Sequence, residues 1–145
     1  MATTETQTTT EGAQVLEFRL GAERYCVDIE YVAEIVDTGD LTTIPNSPRH
    51  IEGVMDLRGR TTSIVNPKRI LDVSGDGEER RIVVFDPDST DGDATGWLVD
   101  EVYQVVRVDT TEVDDPPVDG TDAIVGVVKR ESDFVIWLDP DDLTS

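Results

Sequence analysis

Short runs of alternating apolar and polar residues dominate this chain, and long helical periodicity is scarce. Leu16, Phe18 and Leu20 fall on one face of a strand, with Val15, Glu17 and Arg19 on the other. After a turn at Gly21, Ala22 and Glu23 the pattern repeats at Tyr25, Val27 and Ile29, which predicts a hairpin. Further strand signals lie at 53–57, 61–65, 81–85, 96–99, 102–108, 124–128 and 134–138. Loops rich in Gly, Asp, Pro and Ser separate them at 74–79, 86–95 and 114–122. Helix is expected only in short pieces, at 30–33, 67–71 and 139–143. Many short strands with turn punctuation predict an all-β barrel or sandwich.

The stretch from Ile44 to Leu71 is the most informative. Pro45 and Pro48 fix their own φ and push their predecessors out of the helical region, so this segment begins irregularly. Gly53 opens an apolar run to Leu57, and Gly59 permits a sharp reversal into the next strand. Arg58 therefore stands on a corner between two strands, where a charge is placed to meet something outside the fold.

This stretch resembles the CheW family, the coupling proteins of bacterial and archaeal chemotaxis. The residues that match the family pattern are Ile44-Pro45, Ile51-Glu52-Gly53-Val54, Asp56-Leu57-Arg58-Gly59 and Ile64-Val65. Upstream, Leu16 to Gly21 and Arg24 to Ile29 look like the family's opening hairpin, followed by Val32-Ala33-Glu34-Ile35. Downstream, Gly96 to Val102 resembles its Gly-x-x-Val-Asp-x-Val, and Ile124-Val125-Gly126 its Ile-x-Gly. Two positions depart from the pattern. Asp56 replaces an Asn and sets a carboxylate near Arg58, while Asn66-Pro67 replaces Asp-Leu at a helix start. Asn at the N-cap and Pro at the first helical position both suit such a start.

With 145 residues, the chain has room for one domain or two intimate subdomains. The Thr-rich segment 1–14 lacks periodicity and reads as a disordered tail, leaving 15–145 as the folded part. No apolar run is long enough to span a bilayer, so no direct membrane insertion is expected. The single cysteine, Cys26, excludes an internal disulfide and suits a reducing cytosol. The formal net charge of −20 argues against nucleic acid, whose affinity comes from cations on phosphates. Because the acids are spread along the chain, they read as the solubility adaptation of a salt-loving organism, set against a dedicated basic partner.

Catalytic parts are missing from this sequence. The lone His50 sits between Arg49 and Ile51, and no local motif joins it to Cys26. The acidic segment 86–93 invites calcium, but the EF-hand frames that start at Asp86 and Asp72 place Trp97 and Val83 where Glu is needed. A calcium-binding or other protein-interaction β-barrel is the alternative class, and no metal or cofactor site is expected. Binding is the remaining signal. Val32, Ile35, Val36, Val99, Val102 and Val105 suit either core or groove, since alternation does not separate the two. Glu34 and Arg58, flanked by apolar residues, either pair with each other or face a partner.

The resemblance implies more than these patterns do. Its architecture is two small five-stranded SH3-like β-barrels packed with a hydrophobic groove between them. Its function is a non-enzymatic cytoplasmic adaptor at receptor arrays, docking a chemoreceptor's cytoplasmic tip and the regulatory domain of the histidine kinase CheA. Carried over by motif, the positions tied to partner binding are Val32-Ala33-Glu34-Ile35, Gly53, Arg58-Gly59 and Val102 to Val105, and the candidate contact set is Val32, Glu34, Ile35, Val36, Gly53, Leu57, Arg58, Gly59, Val99, Val102 and Val105.

Overall fold

A computed structural model describes residues 12–71, 73, 81–88, 94–116, 123–129 and 133–140. The strands are β1 (Gly12–Leu20), β2 (Glu23–Asp28), β3 (Val32–Asp37), β4 (Ile51–Leu57), β5 (Arg60–Val65), β6 (Arg81–Phe85), β7 (Thr95–Val99), β8 (Glu101–Asp109), β9 (Val113–Asp114), β10 (Ile124–Lys129) and β11 (Phe134–Leu138). They form a six-stranded sheet in the order β8-β1-β2-β11-β10-β9 and a five-stranded sheet in the order β3-β6-β7-β5-β4. The expected pair of five-stranded units is thus present with one addition, the two-residue β9. Neither sheet closes on itself by continuous backbone pairing. The five-stranded sheet is one continuous insertion, 32–99, within the chain that builds the other.

Three apolar clusters follow from strand alternation. Leu16, Phe18 and Leu20 of β1 meet Val65, Val83, Phe85, Trp97 and Val99 of the other sheet in the main core. Trp97 is edge-on to both Phe85 and Phe18, with centroids 4.8 and 6.0 Å away, and so joins the two sheets. The opposite face of the six-stranded sheet gathers Val15, Cys26, Val108, Val128 and Val135, with Val106 and Val113 from its two edge strands. Packing of residues from both edges on one cluster means that this sheet curls upon itself. The five-stranded sheet does the same over Ile64, Ile82, Val84 and Leu98, packed by Val36, Leu41, Met55 and Leu57.

Two sequence expectations need correction. Residues 12–14 are not tail: they pair with β8 through Gly12↔Asp109, Ala13↔Val108 and Gln14↔Arg107. The expected helix at 30–33 is a 3₁₀ turn, Ile29–Tyr31, started by the Asp28 side chain accepting from the Glu30 N–H at 2.9 Å. Val32 and Ala33 instead begin β3, because the alternation from Val32 to Val36 continues a strand. The helix α1 (Pro67–Leu71) forms where expected, and Asn66 Oδ1 accepts from the Lys68 N–H at 3.1 Å as its cap. The expected features at 1–11, 74–79, 89–93, 117–122 and 141–143 lie outside the described residues.

Candidate functional site

The seam of the five-stranded sheet gathers most of the polar site residues. Its edge strands β3 and β4 do not pair with each other, but the curl brings the segment after β3 against β4. Thr42 and Val54 exchange both backbone hydrogen bonds there, at 2.9 and 3.0 Å. Gly53 makes this approach possible, since a Cβ on it would lie 2.5 Å from the Thr42 carbonyl oxygen.

Arg58 and Glu34 span the same seam further along. The β4–β5 hairpin turns on Arg58 and Gly59, both at positive φ (56° and 79°), as a two-residue turn matched to strand twist requires. From that corner the Arg58 guanidinium donates to both Glu34 oxygens, Nε to Oε2 at 3.0 Å and Nη2 to Oε1 at 2.9 Å. The two residues therefore pair with each other, and the nearby Asp56 is not the partner. The Arg58 side chain nonetheless remains 80% exposed, against 26% for Glu34, so the pair stands on the surface. The hydrogen bonds from Arg58 hold the Glu34 carboxyl below the usual glutamate range, and the same contact raises Arg58.

Beneath the pair lies a cleft of about 300 Å³. Ala33, Leu57, Val84, Phe85, Pro87 and Ala94 supply its apolar walls, and Glu34, Arg58, Arg60 and Thr62 its polar rim. Sequence reasoning included Ala33, Glu34, Leu57 and Arg58 but missed the rest, because alternation gives a side chain's face and not the concavity it borders.

A second set of candidates lies at the edges of the facing sheets. Opposed residues in an antiparallel pair share a face. Ile35 opposes Val83 and Val105 opposes Leu16, and both partners belong to the core between the sheets. Ile35 and Val105 are thus on the inner faces of edge strands, yet 40% and 46% exposed. Val32 and Val102 are partly buried against the main core, and Val36 and Leu57 against the core of the five-stranded sheet. Val99 is 0% exposed in the main core, so it acts on the fold and offers no contact surface. Gly53 is likewise buried beneath Thr42 and shapes the seam without touching its outside.

One buried charge escaped the sequence reading. Asp100 is the single residue between β7 of one sheet and β8 of the other. Its Oδ2 accepts from the Gly21 N–H at 2.6 Å, and its Oδ1 lies 2.8 Å from Lys68 Nζ, with both side chains buried. The signal was present: an acid directly between two strand patterns, with no turn residue beside it, has no loop in which to be solvated. Among the described residues, no three His, Cys, Asp or Glu side chains converge as a metal site. Among them, no helix is long and apolar enough to cross a membrane.

Two curled sheets with a surface ion pair over one seam and apolar edge positions between them make an all-β protein with two candidate contact surfaces. Comparison with known proteins identifies its family. Residues 14–145 match the CheW-like domain. The chain is similar to the chemotaxis protein CheW of Thermotoga maritima, at 29% identity covering 88% of this chain and 85% of that protein. It is similar also to CheW of Treponema pallidum, at 30% over 89% and 80% of the two chains. The crystal structure of the scaffolding protein TtCheW from Thermoanaerobacter tengcongensis superimposes with a TM-score of 0.78 at 28% identity, covering 88% of each chain. The chain belongs to the CheW family, whose members are chemotaxis scaffolds and not enzymes.

Proposed function

We propose that this protein couples chemoreceptors to the histidine kinase CheA in the cytoplasm. In this reading the cytoplasmic hairpin tip of a receptor lays an apolar face along the inner edges marked by Ile35 and Val105, a helix-in-groove contact. The regulatory domain of CheA meets the end of the five-stranded sheet at Glu34, Leu57, Arg58 and Gly59. The observation that carries the reading is the Arg58 corner. It is fixed by two strands and a bidentate partner while most of its side chain stays in solvent, on the family's matching hairpin. A residue so held loses little freedom on docking. Signal passes by unequal binding to the two receptor states, since a scaffold shifts an equilibrium only by its differential affinity. The net charge of −20 further suits a cell of high internal salt, the halophilic archaeal type. Affinity purification of the tagged protein from its own cells, in salt near the cytoplasmic level, tests the coupling. Recovery of both a chemoreceptor and CheA is expected, and recovery of neither would overturn it.

A further inference from the structure

Arg60 is a cation of the cleft rim with no ion pair among the described residues. Seven described cations (Arg19, Arg24, Arg58, Lys68, Arg69, Arg81 and Lys129) each have a carboxylate neighbour. Arg60, like Arg49 and Arg107, has none among the described residues, in a chain with 32 acidic side chains against 12 basic ones, and of these three it alone borders the cleft. It is exposed at the first position of β5 and borders the apolar cleft under the Arg58 corner. The Thr62 hydroxyl donates to its carbonyl at 3.2 Å, which ties the backbone at that point.

We propose that this cleft receives an apolar side chain flanked by a carboxylate, both from the CheA regulatory domain, and that Arg60 reads the carboxylate. The inference rests on the adaptor reading above and names the chemistry that its kinase-facing site selects. Leu57, Val84, Phe85 and Pro87 provide an apolar seat, and burying an apolar group there excludes water from the rim. A carboxylate brought to that rim loses hydration and needs a cation. Arg58 already gives Nε and Nη2 to Glu34, whose charge repels a second carboxylate on that side. Arg60 is the rim cation with its charge uncommitted, so the acid lands on its side of the cleft. Complementarity of this kind steers encounter and selects partners, and in a strongly acidic protein an uncommitted cation at an apolar rim favours an acidic partner segment there.

The test titrates full-length protein, Arg60→Gln and Arg60→Glu against the purified CheA regulatory domain of the same organism by calorimetry, at about 0.1 M and about 1 M salt. Unfolding midpoints of all three should coincide, since Arg60 makes no ion pair in the fold. Arg60→Gln is expected to weaken binding about fivefold at the lower salt and Arg60→Glu by more than tenfold, with both losses shrinking at the higher salt. A Glu→Arg or Asp→Arg substitution on the kinase domain should restore binding to Arg60→Glu and to no other variant. If the wild-type protein binds and Arg60→Glu binds equally well at both salts, the assignment of Arg60 is overturned while the adaptor reading stands. If the wild-type protein does not bind the kinase domain at all, both fail together.

Discussion

Arg58 occupies the left-handed region, which side chains other than Gly and Asn seldom adopt, at a corner that leaves its side chain 80% exposed. Asn tolerates the same backbone. Arg58→Asn eases the backbone but gives up the exposed pair with Glu34, two small effects of opposite sign, so the unfolding midpoint should stay nearly unchanged while CheA binding weakens about tenfold, the scale of a lost interface anchor. Parallel denaturation and titration of one preparation check this. A fall in affinity explained by the unfolded fraction alone would make Arg58 merely structural. The pair also predicts a pH dependence. Glu34 has its carboxyl held below its ordinary 4.5 in the folded chain, mainly by the hydrogen bonds from Arg58. The contribution of the pair is accordingly complete above that value and disappears as pH falls through the lower folded value. The stability difference between the wild type and Glu34→Gln should be flat from about pH 8 to 5.5 and shrink below about 4.5. Asp100 belongs to the opposite class, a carboxylate with no exposed side-chain surface. Asp100→Ala leaves Lys68 buried without that partner and the Gly21 N–H without its acceptor, so a loss of about 3–5 kcal/mol is expected in urea unfolding.

At the scale of elements, local chemistry was readable wherever it acts locally. The strands Arg81–Phe85 and Phe134–Leu138 and the helix Pro67–Leu71 fall where alternation, Asn66 and Pro67 place them. Reading 30–33 as helix failed because the Asp28 cap supports a single turn, after which Val32 resumes alternation. What sequence did not disclose is non-local. The parallel pairings of β11 with β2 and of β5 with β7 join distant segments, and periodicity has no term for a distant partner. For the same reason the cleft walls Val84 and Phe85 read only as core, while Arg58 and Glu34 were legible as charges among apolar neighbours, with their pairing one of two open alternatives. The two seam glycines differ in how they act. Gly59 has open space around it, so Gly59→Ala pays only for φ of 79°, about 1–2 kcal/mol. Gly53→Ala drives a Cβ into the Thr42 carbonyl and should cost more, with loss of the Thr42–Val54 pairing visible as faster amide exchange at both residues.

For the whole molecule, charge and division into two sheets set the behaviour. At a net charge of −20, lowering salt from about 1 M to about 0.1 M lengthens the screening distance from ~3 to ~10 Å and lets remote carboxylates repel. The denaturant midpoint should fall across that range, and a flat response would contradict adaptation to high salt. The two sheets meet through one core centred on Trp97 and through Asp100, so the apolar inner edges and the Arg58 corner belong to one connected body. The account of function depends on those two surfaces being used at once. Light scattering on a size-exclusion column, with this protein, a receptor-tip fragment and the CheA regulatory domain mixed at molar salt, measures that directly. Coelution of all three in one complex is expected, with Ile35→Asp losing only the receptor fragment and Arg58→Asn only the kinase domain. Mutual exclusion of the two partners, or one substitution abolishing both contacts in a folded protein, would contradict it.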